Sequence, residues 1–389
     1  MDGITTSGLL ASVANLTPLI LAHSDECERS GQLSPEVLRG IADARLFQLW
    51  LPQKFGGLET DVATFIRLVE AVSSIDAAAG WLLTVYAAYG RFAGYLREDV
   101  AREIYGANAD RRVAGSINPS GHALAVDGGY QVSGRWGFGS GIVQSDWVIG
   151  NCIVYEGDAP RQGPDGTPEV RIVMLPTHEV EVLDTWDVGG LRGTGSHDYA
   201  VGDRFVPEER SFPAFTAPPV QPGTLYSLPL ITIFAVSIAA VPLGIARAAI
   251  DALKELAQAK TPTGSRSLLK DRPAIQVDMA RAEELIRPAR AFLFQTVQDL
   301  WDQVVAGEAP SMERRALVRL ACAQVATSAV QAVDLMYQAA GATANYVSSP
   351  LERCVRDVRA AAAHIAVAPS NYELCGRVFL GMDPGTPRF

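Results

Sequence analysis

The chain has 389 residues, 48% of them hydrophobic and 20% charged, a globular composition with enough core for two or three domains. Its net charge is −10 and it has no Lys/Arg cluster, so a basic face for nucleic acid is excluded. Five scattered cysteines (Cys27, Cys152, Cys322, Cys354 and Cys375) are odd in number and never spaced as CxxC. That usage points away from a disulfide framework or a metal site and toward the reducing cytoplasm. No basic n-region of signal-peptide type opens the chain.

Up to about residue 110 apolar residues recur at helical spacing, in PEVLRGIADARLF, in the long run from Val62 to Leu96, and in REDVAREIYG. PQKFGG (Pro52–Gly57) reads as a turn between two of these helices. Short β-rich runs follow, among them HALAVDGGYQVSG, DWVIGNCIVY, EVRIVMLP and SHDYAVGDRFVP, punctuated by glycine and proline as in hairpin-connected antiparallel sheets. The polar stretch Glu156–Glu169 reads as an exposed hairpin loop, and TAPPVQPG (Thr216–Gly223) as a linker. Beyond it the helical period returns, with long helices expected over Arg247–Ala259, Ala274–Ala306, Met312–Ala340 and Leu351–Val367, and a four-helix bundle as the economical arrangement.

Leu228–Ala246 is nearly continuous in apolar residues, close to the roughly 20 that span a bilayer. Pro229 and Pro242 interrupt it and an amphipathic segment follows, so a helix buried all round in a bundle is expected and no membrane. GxGxxG, GxxxxGK[ST] and a nucleophile elbow are all absent. The expected fold class is α+β: an N-terminal helical domain (1–111), a middle antiparallel β domain (112–215) and a C-terminal four-helix bundle (216–389).

This order resembles the acyl-CoA dehydrogenase superfamily over nearly the whole chain. The likeness is carried by IADARLFQLWLPQKFGG and LVEAVSSIDAAAGW, by YQVSGRWGFGSGIVQSDWVIG and GGLRGTGSHDYAVGDRFVPEER, and by VPLGIARAAIDAL and YQAAGATANYVSSPLERCVRDVRAAAAH. The resemblance implies a flavin site. Phe138, Gly139, Ser140 and Gly141 would lie along the flavin, with the Ser140 hydroxyl at N5, although glycines here also suit a plain bend. Gly341, Ala342 and Thr343 would receive the phosphate-bearing tail of a flavin in a neighbouring subunit of a homotetramer, with Arg266 or Lys260 as cation. An ordinary helix stop at Gly341 fits the same letters. Arg353, Arg356 and Asp357 read as an architectural ion-paired network.

One departure decides the chemistry. The dehydrogenases of this fold need a carboxylate base, commonly nine residues after the arginine of an Arg-Asp motif. Counting nine from Arg356 gives Ile365, which cannot take a proton, and the next carboxylate is Glu373. His364 stands one position earlier, and RDVRAAAAH resembles the reductase-dependent oxygenases of the fold, such as those of 4-hydroxyphenylacetate hydroxylase and dibenzothiophene monooxygenase. There the matching histidine lies beside flavin C4a, where O2 adds to give a hydroperoxyflavin.

The resemblance therefore implies a two-component, cytoplasmic monooxygenase. It would take diffusible reduced FMN or FAD from a flavin reductase and use O2 on a small aromatic or heteroaromatic substrate. His364, titrating near neutrality, and Ser140 are its expected catalytic residues, and no metal is called for. An acyl-CoA dehydrogenase holding FAD tightly is the alternative. Tyr86 and Tyr89, three apart and so on one helix face, and Asn118 are candidate substrate contacts, with plain packing as the competing explanation for the tyrosines. His23, His122, His178 and His197 read as structural or surface residues.

Overall fold

The computed structural model describes residues 5–386 and 389, except 107, 108, 110, 164, 165, 214 and 216. Five helices come first: α1 (Thr6–Ser30), α2 (Pro35–Asp43), α3 (Val62–Ser73), α4 (Ala77–Gly90) and α5 (Glu98–Tyr105). Polar caps start the first four. Thr5, Ser34, Asp61 and Asp76 each accept a backbone N–H from the first turn of the helix that follows. Helix α4 is buried along its entire length, so it can carry no polar face and must be enclosed by other elements.

The β region comprises β1 (Val113–Val126), β2 (Gly129–Gly139), β3 (Trp147–Glu156), β4 (Ala159–Pro160), β5 (Val170–Pro176), β6 (Glu181–Leu183), β7 (His197–Pro207) and β8 (Ser211–Phe212). They form one sheet in the order β6-β7-β2-β1-β3-β5-β8, with β4 paired to β3. Every pair is antiparallel save β1/β3, which run parallel with a bulge between Ser116 and Gly121. The all-antiparallel expectation is corrected at that one pair. Strand β2 takes one edge of β1, and the turn at 140–146 carries the chain across the end of β1 to enter β3 on its other edge. Part of the expected hairpin loop, 159–160, pairs with β3, while 164 and 165 lie outside the described residues. So does Thr216, the expected first residue of the linker.

The rest is helical: α6 (Thr224–Ser227), α7 (Leu230–Ala259), α8 (Pro273–Val305), α9 (Met312–Ala340), α10 (Pro350–Ala362) and α11 (Ser370–Phe379). Helices α7 to α10 form the bundle, and the apolar length of α7 is buried against α3, α4, α9 and α10. Both α7 and the Met312–Asn345 stretch are long and apolar enough to cross a bilayer, and both are mostly buried inside the protein. Buried Arg91 ties the segment before the bundle to the N-terminal helices, donating to the carbonyls of Leu225, Tyr226 and Leu228.

Helix α10 is shorter than its sequence suggests and stops at Ala362 instead of Val367. The Asn371 side chain, 1% exposed, donates to the carbonyls of Ile365 and Ala368 and accepts from Arg319, holding 363–369 as a turn. His364 sits in this turn, past the helix end.

Candidate active site

Strand β2 ends in Phe138-Gly139, and the next residue, Ser140, turns inward and is 6% exposed. The turn is tight. Phe138 adopts φ 62°, and the Ser140 N–H donates to the Phe138 carbonyl at 2.9 Å. Gly141 has φ +72°, and a Cβ there would lie 2.2 Å from the Tyr86 hydroxyl, so glycine is required by its own surroundings. A Cβ at Gly139 would press on the His197 carbonyl and the Tyr199 ring. The bend alone therefore accounts for both glycines.

What the bend does is aim Ser140. Its Oγ accepts the Trp81 indole N–H at 3.0 Å and lies 2.7 Å from Ser196 Oγ, which in turn lies 2.7 Å from Thr194 Oγ1. Trp81 comes from α4, and Thr194 and Ser196 from the loop between β6 and β7. That loop docks on α10: Leu191 N–H donates to Asp357 Oδ1 at 2.6 Å, and Gly190 packs so closely that a Cβ would lie 2.2 Å from the Arg356 carbonyl.

His364 completes the group. Its ring meets Trp81 edge-on at 5.8 Å between centroids and Phe234 of α7 at 5.7 Å. His364 Nδ1 accepts the Ala366 N–H at 3.2 Å, which leaves the ring proton on Nε2. Burial among these rings pushes its pKa down to about 4, so the ring is neutral at pH 7. Burial thus moves the ring below the near-neutral titration expected of it and favours the neutral form, with Nε2–H available to donate. Ile365, at the position of the dehydrogenase base, is 77% exposed.

The other expected residues fall in several places. Phe138 is 75% exposed, edge-on to Trp186, whose backbone N–H donates to His197 Nδ1. His197 thereby props the Trp186 loop. Tyr86 donates its hydroxyl to the Gly141 carbonyl at 2.7 Å, and Tyr89 to the Gly115 carbonyl at 3.0 Å. Each is 3% exposed and spends its hydroxyl on the scaffold, as the packing explanation has it. The Tyr89 ring still contributes, stacking on Phe234 behind His364. Asn118 is exposed at the β1 bulge, with its N–H on Ser116 Oγ. Among the described residues no hydrogen bond or ring contact joins its side chain to the Ser140–His364 group.

At the end of α9, Gly341 (φ 62°) and Ala342 are exposed, and Thr343 Oγ1 accepts from Lys260 Nζ at 2.6 Å. Lys260 also donates to the Ala340 carbonyl, whereas Arg266 is exposed in the α7–α8 connection. The cation on this segment is thus Lys260. Arg353 pairs with Asp25, and Arg356 with Glu28 and Glu352, joining α10 to α1. Sequence reasoning missed Thr194, Ser196 and Phe234. The two hydroxyls two apart in RGTGS were the available signal.

A reduced flavin fits these residues. Its N5–H needs an acceptor on a rigid support, which Ser140 offers, and its ring needs apolar walls, which Trp81, Phe234 and exposed Phe138 offer.

Residues 236–369 match the family model "Acyl-CoA dehydrogenase, C-terminal domain". The chain is 33% identical over 366 residues to the indole-3-acetate monooxygenase of Pseudomonas putida, covering 93% of this chain and 91% of that protein. It is 29% identical over 388 residues to the flavin-dependent monooxygenase oxygenase subunit HsaA of Mycobacterium tuberculosis, covering 97% of this chain and 96% of that one. The structure of XiaF from a Streptomyces species, in complex with FADH2 and glycerol, superposes with a TM-score of 0.91 at 26% identity, covering 98% of this chain and 97% of that one.

Proposed function

Because this chain belongs to the flavin-dependent monooxygenase oxygenase components built on the acyl-CoA dehydrogenase fold, we propose that it oxygenates a small aromatic or heteroaromatic substrate at the Ser140–His364 site. The reduced flavin, FMN or FAD, would arrive by diffusion from a separate reductase. When bound, it supplies the two electrons that activate O2, one oxygen atom going to the substrate and the other to water.

The observation that carries the reading is the convergence of Ser140, Trp81 and His364 from the sheet, α4 and the turn after α10. Ser140 would hold the flavin's N5 proton in place. The neutral His364 Nε2–H would donate a hydrogen bond to oxygen on the same face. Trp81 and Phe234, the latter backed by Tyr89, would exclude water from that face and offer an aromatic substrate flat surfaces to pack on. Indole-3-acetate, named in two relatives, is an aromatic compound of the kind that such walls suit. Gly341, Ala342, Thr343 and Lys260 would receive the phosphate tail of a flavin held by a neighbouring copy in a homotetramer.

The test is turnover under 18O2 with a flavin reductase, NADH, FMN or FAD, and a panel of indoles and phenols. One labelled oxygen per product molecule is expected, with Ser140→Ala diverting reducing equivalents to H2O2. Bleaching of tightly held FAD by an acyl-CoA, with no labelled product from any substrate, would overturn the reading.

A further inference from the structure

The row of hydroxyls behind Ser140 has a direction. A hydroxyl has one proton to give and two lone pairs with which to accept. Thr194 spends its proton on the Leu191 carbonyl at 2.8 Å. Ser196, 2.7 Å from Thr194, must therefore donate to it. Ser140, 2.7 Å from Ser196, must donate in the same sense. The Trp81 indole N–H, a donor only, occupies one lone pair of Ser140. Ser140 is left with one free lone pair and no free proton.

The end of the row cannot easily reverse. The Leu191 carbonyl is a pure acceptor, and its residue is pinned by the bond from its N–H to Asp357 Oδ1. Thr194 and Ser196 are 0% and 3% exposed, so bulk water does not compete for them. Flavin N5, by contrast, changes character with redox state. It carries a proton in the reduced form and a bare lone pair in the oxidised form. A fixed acceptor attracts the first and repels the second.

We infer that Thr194 and Ser196 are positioning residues that lock Ser140 as a hydrogen-bond acceptor and thereby make the site select reduced over oxidised flavin. The inference rests on the proposal that Ser140 meets N5, and it assigns the selectivity to side chains that do not touch the flavin.

The test is anaerobic titration of the full-length protein with oxidised and reduced FMN and FAD, read as the ratio of the two dissociation constants. Ser196→Ala frees the Ser140 proton to turn toward oxidised N5, and the ratio is expected to fall about five- to tenfold, the worth of roughly one hydrogen bond. Thr194→Val should move it the same way, and Thr194→Ser, which keeps the proton count, should hold it at the wild-type value. Circular dichroism and thermal melting establish which variants are folded, and Thr194→Val decides the matter if Ser196→Ala does not fold. An unchanged ratio in a folded breaking variant, or equal weakening of both flavin forms, overturns the inference. Wild-type protein that binds neither form overturns the flavin reading, and the inference with it, a failure visible before any variant is made.

Discussion

The two ring nitrogens of His364 have different fates. Nδ1 is held by a backbone N–H, Nε2 keeps the proton, and burial pushes the pKa down to about 4. A group so far below neutrality does not change charge between about pH 5 and pH 8. Product formed per reduced flavin consumed should therefore show no inflection from this ring in that window. His364→Asn keeps an N–H donor and should stay close to wild type, whereas His364→Ala should lose about tenfold in coupled product. An inflection near pH 6.5 in the wild type that is lost in His364→Asn would mean that the ring titrates after all. The sequence disclosed the histidine but not its state, because protonation depends on Trp81 and Phe234, which lie 283 and 130 positions away. Ser140 was legible in the same limited way: its place in FGSGI could be read, its partners could not.

Among elements, the bend after β2 and helix α4 are built as a pair. Tyr86 closes on the Gly141 carbonyl, and Gly141 has no room for a side chain. Tyr86→Phe leaves the Gly141 carbonyl with the Gln144 N–H alone, at a cost of about 0.5–1.5 kcal/mol. It should lower the melting temperature and weaken binding of reduced flavin while leaving the substrate KM within about twofold of wild type. A large KM change with unaltered stability would return Tyr86 to the substrate. The long helices were readable because a 3.6-residue period survives in any amphipathic segment. The parallel β1/β3 pair was not, since it follows from the 140–146 turn crossing the end of β1 to its other edge, and no local pattern records that. The early stop of α10 was hidden for a similar reason: the Ala-rich run favours helix, and a distant Asn371 overrides it.

At the scale of the whole molecule, α1, the 184–196 loop and α10 meet at one buried carboxyl. Asp357 lies among Asp76 and Glu28 and beside Arg356, accepts from Leu191, and is driven by burial to a pKa of about 7. Its folded pKa is above the unfolded value of 3.8, so the folded state binds more protons between those values. The stability it contributes is full below about pH 4 and is lost as the pH rises through 7. His364 acts in the opposite sense: its folded pKa of about 4 is below 6.5, so its share is lost as the pH falls through that interval. Asp357→Asn keeps an acceptor for Leu191 and removes the first effect. Melting temperature should then fall less between about pH 5 and pH 7 than it does in the wild type. An identical profile in both proteins would mean that Asp357 is ionised throughout.

The lock behind the histidine reaches further than the site. Arg319, which holds Asn371, also stacks its guanidinium over the ring of Phe389, 5.5 Å from the centroid. Phe389 packs with Cys375 and Ala316 in a small apolar cluster apart from the main core. Sequence drift at position 389 is therefore not silent. A smaller residue there would remove one of the contacts that steady Arg319, and through Asn371 would reach the turn that carries His364, 25 positions away.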